Sequence, residues 1–262
     1  MTIRIIDVSH HNAAGIDFRK VKAAGISGVY AKCSEGSGFA DQTYATVVAG
    51  CRTAGLAVGP YHFVRTTGSP AAQATFALHQ AAWRPGMMPF MWDVETNDGR
   101  LNPVMFEAFL AALQLTANTA KVRQGIYTGN WFWAPQLRAS RLFAALPLWS
   151  SAYTATEPVP SGWPHSTLWQ YTDKAHVDGC PTPVDESVFQ DDMAAWADFI
   201  GTQVVGPAKE LWLLPDGRIV QPTAGTSSPP NVEWLRTPAQ VQALLDAGWT
   251  QVAHTGPVTV IR

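Results

Sequence analysis

The chain has 262 residues, 47% hydrophobic and 15% charged, with a net charge of −2. That balance fits a globular protein with a sizeable core and excludes an intrinsically disordered chain. It also argues against nucleic acid as the main partner, because neutralising phosphates needs a basic surface.

The opening MTIRIIDVSHHN runs straight into a strand, without a basic n-region or an apolar h-region. No apolar run reaches the length of a membrane helix. The expectation is a protein made in a cytoplasm, with no signal peptide and no membrane anchor of its own. Short runs rich in β-branched and aromatic residues follow in order: IRIIDVS, SGVYAKCS, AVGPYHFV, MPFMWDVE, QGIYTG, LPLWSSAY, STLWQYT and PVDESVF. Helices are predicted between the early runs. DQTYATVVAGCRTAG ends on Gly55, a residue suited to the position beyond a helix C-cap. SPAAQATFALHQAAWR opens with Ser69 as N-cap and Pro70 at the first helical position. NPVMFEAFLAALQLTANTAK repeats that signal with Asn102 and Pro103. Strand–helix alternation at this spacing predicts βαβ units and a parallel sheet, and about eight strands in roughly 200 residues predict closure into a TIM-like barrel. From LPLWSSAY to PVDESVF the connections are Pro-, Gly- and Ser-containing loops, so the barrel is expected to be irregular, with βα units first and mostly strands later.

Composition changes after about residue 200. LPDGRI signals a hairpin, and TPAQVQALLDAG reads as a helix with Thr237 as N-cap and Gly248 beyond its end. Residues 206–262 are therefore expected to form a small α+β appendage to a barrel spanning residues 1–200. Trp212, Trp234 and Trp249 are its candidate sugar platforms or core residues. Cys33, Cys51 and Cys180 are odd in number and lack CxxC spacing, which predicts free thiols from a reducing compartment.

FMWDVET, residues 90–96, places two acids two positions apart in a strand-like run. In a strand they share a face, roughly 6–7 Å apart, and two charged carboxylates that close repel. In a βα barrel the C-terminal strand ends form the site. Asp7, Glu35, Tyr61, His62, Asp93, Glu95, Tyr127, Trp149, Gln170, Tyr171 and Asp185 all fall late in a strand or within the last one. Their convergence suggests glycoside hydrolysis, which needs one carboxylic acid kept protonated and negative charge beside an oxocarbenium-like centre. Glu95 is the candidate acid, with Asp93 and Asp185 raising its proton affinity by repulsion. Glu35 is read as shaping its glycine-containing loop or touching substrate. His10 and His11 are adjacent, so a strand would send them to opposite faces, which disfavours a metal site. Trp83 and Trp196 are expected on helices, in the core.

IDVSHHNAAGIDF, AKCSEG, GPYHF, MWDVE, GIYTG, LWSSAY, WQY and VDESVF, in that order, resemble the sequence blocks of glycoside hydrolase family 25. These are the muramidases, or lysozymes, of bacterial and phage wall lysis, and the likeness runs from about residue 4 to 199. It implies a (β/α)5(β)3 barrel and cleavage of the β-1,4 bond between N-acetylmuramic acid and N-acetylglucosamine, with peptidoglycan as partner and no cofactor or metal. Glu95 resembles the family's general acid and Asp93 its carboxylate partner, while Asp7 and Asp185 match the other two pocket acids. Tyr61 and Tyr127 match pocket tyrosines, and Trp149, Gln170 and Tyr171 lie in blocks that line the groove. Phe18, Cys33 and Ser187 depart from the pattern, standing where tryptophan, alanine and Asn or Asp are usual. The absent signal and free thiols point to a phage endolysin. A non-catalytic sugar-binding barrel and a metal-dependent barrel hydrolase are the competing readings.

Overall fold

The computed structural model describes residues 2–201 and, beyond them, 210–214, 219–222, 231–234, 240–241, 250–253 and 259–261. The chain divides into two compact units, Met1–Gly201 and Thr202–Arg262.

The first unit is the irregular barrel. Its strands are β1 (Ile3–Val8), β2 (Ile26–Glu35), β3 (Phe39–Ala40), β4 (Ala57–Phe63), β5 (Phe90–Asp93), β6 (Gln124–Thr128), β7 (Leu148–Ser151), β8 (Leu168–Ala175) and β9 (Val184–Phe189). They hydrogen-bond in the order β1-β9-β8-β7-β6-β5-β4-β2-β3, and β1 also pairs with β2, which closes the cylinder. From β1 through β2 and β4 to β8 the neighbours run parallel. The last strand, β9, is antiparallel to both β8 and β1.

Five helices fill the crossovers as far as β7: α1 (Phe18–Ala23), α2 (Tyr44–Ala54), α3 (Pro70–Ala81), α4 (Pro103–Thr119) and α5 (Asn130–Leu137). The sequence signals act as expected at α2, α3 and α4. Ser69 Oγ accepts from the Ala72 amide, Asn102 Oδ1 accepts from the Met105 amide, and Gly55 takes the left-handed conformation with φ 69° after α2. α1 and α5 escape the sequence reading for local reasons. α1 has six residues, and α5 follows Gly129, an N-cap without a side chain, and contains Pro135.

Strand alternation divides the core into two layers. Outward residues such as Ile6, Val29, Trp92 and Ile126 pack with the helices. Inward residues Ile3, Ile5, Tyr30, Met88, Met91, Trp149, Leu168 and Phe189 fill the barrel. A sixth helix, α6 (Met193–Phe199), adds Trp196 and Phe199 to that interior cluster, where Trp196 stacks on Phe199 and meets Phe189 edge-on. Because Phe189 ends the antiparallel β9, α6 plugs the barrel end opposite the strand C-termini. Trp83 differs from expectation: it lies beyond the end of α3, half-buried, and donates its indole N–H to the Met88 carbonyl at 2.9 Å.

The second unit contains a five-stranded sheet in the order β13-β10-β11-β12-β14. Its strands are β10 (Glu210–Leu213), β11 (Ile219–Pro222), β12 (Asn231–Trp234), β13 (Thr250–Ala253) and β14 (Thr259–Ile261). β10 and β11 are antiparallel, as the LPDGRI hairpin signal predicts. The turn itself, Trp249 and nearly all of the helix expected over 237–248 lie outside the described residues. Among the described residues, no helix is long and apolar enough to cross a membrane.

The barrel interior is filled to contact. A Cβ built on Gly59 would stand 2.5 Å from Tyr30 Cε1 and 2.8 Å from Met88 Cβ, and both neighbours are fully buried. Gly59→Ala should therefore cost about 1–3 kcal/mol in chemical denaturation of the barrel, the usual range for overpacking.

Candidate active site

The inward residues nearest the strand C-termini open into a cleft of about 230 Å³ lined by carboxylates, aromatics and one lysine. Trp149 forms its floor. Its indole N–H donates to Ser187 Oγ at 2.9 Å, so the serine that departs from the family pattern has a definite role. Tyr30 stacks beneath Trp149 at 4.6 Å, and Tyr127 and Tyr61 meet its edge at 4.8 and 6.5 Å.

Asp7 and Asp185 face each other across the β1–β9 seam, directly paired in register. Gln170 of β8 donates from Nε2 to Asp7 Oδ2 at 2.9 Å and to Asp185 Oδ2 at 3.4 Å. Its Oε1 accepts from Tyr127 (2.8 Å), Tyr153 (3.1 Å) and Ser151 (3.3 Å), so three hydroxyls lock the amide orientation. Burial first, then the negative charge of Asp185, holds the Asp7 carboxyl well above the ordinary range. Asp185 is also raised, chiefly by burial, but the hydrogen bond from Asp7 opposes that rise. Of the two, Asp7 is the more strongly driven toward its protonated form.

Across the cleft stand Asp93 and Glu95. The strand expected to carry both ends at Asp93, and Glu95 lies two residues beyond it, yet both line the cleft. Asp93 is 6% exposed, and its buried Oδ1 has no hydrogen-bond partner. Burial and the charge of Glu95 drive its proton affinity well up. Glu95 is only half-buried, and burial raises it too, with Lys32 opposing and Asp185 assisting. Four neighbouring carboxyls thus have raised proton affinity, the direction that acid–base chemistry on a glycosidic bond requires.

Other expected site residues lie elsewhere. Glu35 is absent from the cleft lining and is paired with Lys32 and Arg65. Tyr171 follows Gln170, so alternation turns it to the outer face, where its hydroxyl bonds Glu186. His62 likewise faces outward beside Tyr61. It is fully buried between Ser34 Oγ (2.8 Å) and Gln73 Oε1 (2.9 Å), and burial lowers it to about 4, leaving the imidazole neutral. His10 and His11 do not lie in a strand. β1 ends at Val8, and a turn tied by Ser9 and Asn12 brings the two rings within 3.9 Å. His10 is held by Asp41 at 2.8 Å, and His11 borders the cleft. Among the described residues, no group of three or more His, Cys, Asp or Glu side chains is placed to hold a metal ion.

Ser9, Lys32 and Phe63 also line the cleft without having been singled out from sequence, as does His11, which the sequence offered only as a disfavoured metal ligand. Tyr153 joins them indirectly, half exposed and tied by its hydroxyl to Gln170. Lys32 had a signal, standing two residues before the end of the second strand-like run and on its inward phase.

Comparison with known proteins places this geometry in context. Residues 6–180 match the model of the family described as Glycosyl hydrolases family 25. The chain is 29% identical over 196 residues to Lysozyme M1 from Streptomyces globisporus, covering 70% of this chain and 66% of that protein, just under two thirds of its length. The solved bacterial lysozyme from Streptomyces coelicolor superposes with a TM-score of 0.74 at 26% identity, covering 78% of this chain and 99% of that one. The CTP1L endolysin, at 20% identity, matches in fold alone, with a TM-score of 0.65 over 99% of this chain and 87% of its own.

The raised carboxyls predict a definite sign for stability. A carboxyl with raised proton affinity in the fold costs stability while ionised, and the cost is relieved as pH falls through its folded pKa. Asp93→Asn, which cannot ionise, should melt at higher temperature than the wild type at neutral pH. Calorimetry should show that advantage shrinking as pH falls toward 4, where the wild-type carboxyl is neutral as well.

Proposed function

The chain belongs to glycosyl hydrolases family 25, and from that membership we propose that it is a peptidoglycan N-acetylmuramidase, a lysozyme. It cleaves the β-1,4 bond between N-acetylmuramic acid and N-acetylglucosamine. The observation that carries this reading is the convergence of Asp7, Asp93, Glu95 and Asp185 on one open cleft floored by aromatic rings. Glu95, half-buried just beyond the end of β5, donates its proton to the departing glycosidic oxygen. Asp93 Oδ1, buried and without a partner, accepts the N–H of the sugar's 2-acetamido group. That bond favours the ionised form of Asp93 and leaves the proton on Glu95. The acetamido oxygen then attacks the anomeric carbon from the opposite face as the leaving oxygen departs, and water, giving a proton back to the Glu95 carboxylate, opens the resulting ring with net retention. Asp7 and Asp185, bridged by Gln170 across from Asp93, supply negative charge near the developing cation.

The reading extends to a phage endolysin, made in the host cytoplasm and acting on the wall after release. Three unpaired thiols support a reducing site of synthesis. The unit Thr202–Arg262 is proposed to bind the wall. Full-length chain should then be retained on purified cell walls more strongly than residues 1–201, and equal retention would remove that role.

A sugar-binding barrel without catalysis is the second reading, and Glu95→Gln separates the two. As a muramidase the variant should lose about 10²–10⁴-fold in kcat on wall suspensions, the usual worth of a general acid. A pure binder would show equal, negligible clearing by both proteins. Mass spectrometry of the digest should find new reducing ends on muramic acid, whereas glucosamine ends or freed peptides would reject the assignment.

A further inference from the structure

Residues three apart in a regular strand point to opposite faces. Lys32 and Glu35 of β2 do not, because Lys32 Nζ lies 2.6 Å from Glu35 Oε2. The pairing with β4 gives the reason. Lys32 pairs with Tyr61 and Ser34 with His62, which leaves Cys33 as an extra residue on the β2 side. A bulge of this kind shifts the phase of a strand by one residue and re-aims the side chains beyond it. Before it, Tyr30 and Lys32 face the barrel interior. After it, Ser34 turns outward to His62, and Glu35, paired with Phe63, returns to the inward side.

Lys32 is braced on several sides. Its side chain is 8% exposed, with Nζ 4.8 Å from the Phe63 ring centre and 5.8 Å from that of Phe39. Glu35 Oε1 is gripped by Arg65 through Nη2 at 2.6 Å and Nε at 2.9 Å, and Arg65 reaches on to Asp98 at 3.2 Å. The Arg65 backbone is fixed in turn by Gln73, which bonds both its N–H and its carbonyl. A long side chain that gives up its rotamer freedom and most of its hydration carries a real cost. Among the described residues lining the cleft, Lys32 is the only lysine or arginine. It shares that space with Asp7 of β1, His11, Tyr61 of β4, Asp93 of β5, Glu95, Tyr127 of β6 and Asp185 of β9.

We propose that Lys32, aimed into the cleft by the bulge at Cys33 and braced by Glu35 and Arg65, is a positioning residue that sets the protonation of Asp93 and Glu95. Without it, burial and neighbouring carboxylates (Glu95, Asp7 and Glu35 for Asp93, Asp185 for Glu95) act on the two acids with no positive charge to oppose them, and Lys32 lowers the proton affinity of each. Its positive charge favours ionisation of one member of the pair, so that one acid can donate while the other carries charge. Glu35, whose own charge repels Asp93, partly offsets the lysine. The consequence for catalysis rests on the muramidase reading, but the electrostatic statement does not.

Carboxyl ¹³C NMR titration of the full-length protein tests it directly, whether or not the wild type cleaves peptidoglycan. Lys32→Met, close in volume and neutral, should move the apparent midpoints of the Asp93–Glu95 pair upward by about one pH unit, within the range for a nearby opposite charge. Lys32→Arg should restore them. Glu35→Gln keeps an acceptor for Nζ and removes a negative charge, so it should move the midpoints down, and it serves if Lys32→Met does not fold. The kcat–pH profile should shift in the same directions. Midpoints that stay in place in Lys32→Met, or that rise in Glu35→Gln, would overturn the proposal. An unshifted profile with a raised KM would make Lys32 a substrate contact instead.

Discussion

The antiparallel register of β9 against β1 sets Asp7 directly opposite Asp185. Like charges in directly opposed positions destabilise a sheet. Here Gln170 donates to each carboxyl, and burial with the charge of Asp185 favours the neutral form of Asp7. The same register acts on the outer face, where Glu186 is gripped through both carboxylate oxygens by Arg4, at 2.7 and 2.8 Å. A slip of one residue would exchange the two faces, sending Glu186 into the cleft and Asp185 out. The outer ion pair and the inner bridge from Gln170 therefore favour the same alignment, and that alignment closes the barrel.

The remainder of the cleft is built outward from this seam. Gln170, held by three hydroxyls, couples the seam to Tyr127 and Tyr153. Tyr127 in turn meets the edge of Trp149, and Trp149 is fixed from below by Ser187 on β9. A ring of inward residues, each positioned by the next, keeps the carboxyls where their charges are costly. Asp93 is the plainest case, a buried acid with an oxygen bonded to nothing in the protein. A fold gains no stability from such an atom, and a substrate that supplies an N–H would satisfy it. Stability surrendered at a site is a common counterpart of reactivity.

Much of this was legible in the sequence because short strands, proline-led helices and a glycine C-cap each leave local marks. The acids were found because a period of two places late inward residues of successive strands on one rim. The features that stayed hidden break that period or need its strict use. Cys33 inserts a residue, so the Lys32–Glu35 contact cannot be read from spacing. Tyr171 and His62 sit beside true cleft residues, and adjacency is what turns them to the opposite face. His10 and His11 lie past the end of β1, in a turn whose Ser9–Asn12 bonds matter more than strand geometry. α5, with a proline inside and no capping side chain, forms where packing outweighs local preference.

The central claim is that the cleft holds hydrogens on particular carboxyls before any substrate arrives. Neutron diffraction from a deuterium-exchanged crystal at neutral pH tests this most directly. The account predicts density for a deuteron on Asp7 directed at Asp185, and a second on Asp93 or Glu95. Four bare carboxylates surrounded by ordered water would contradict it.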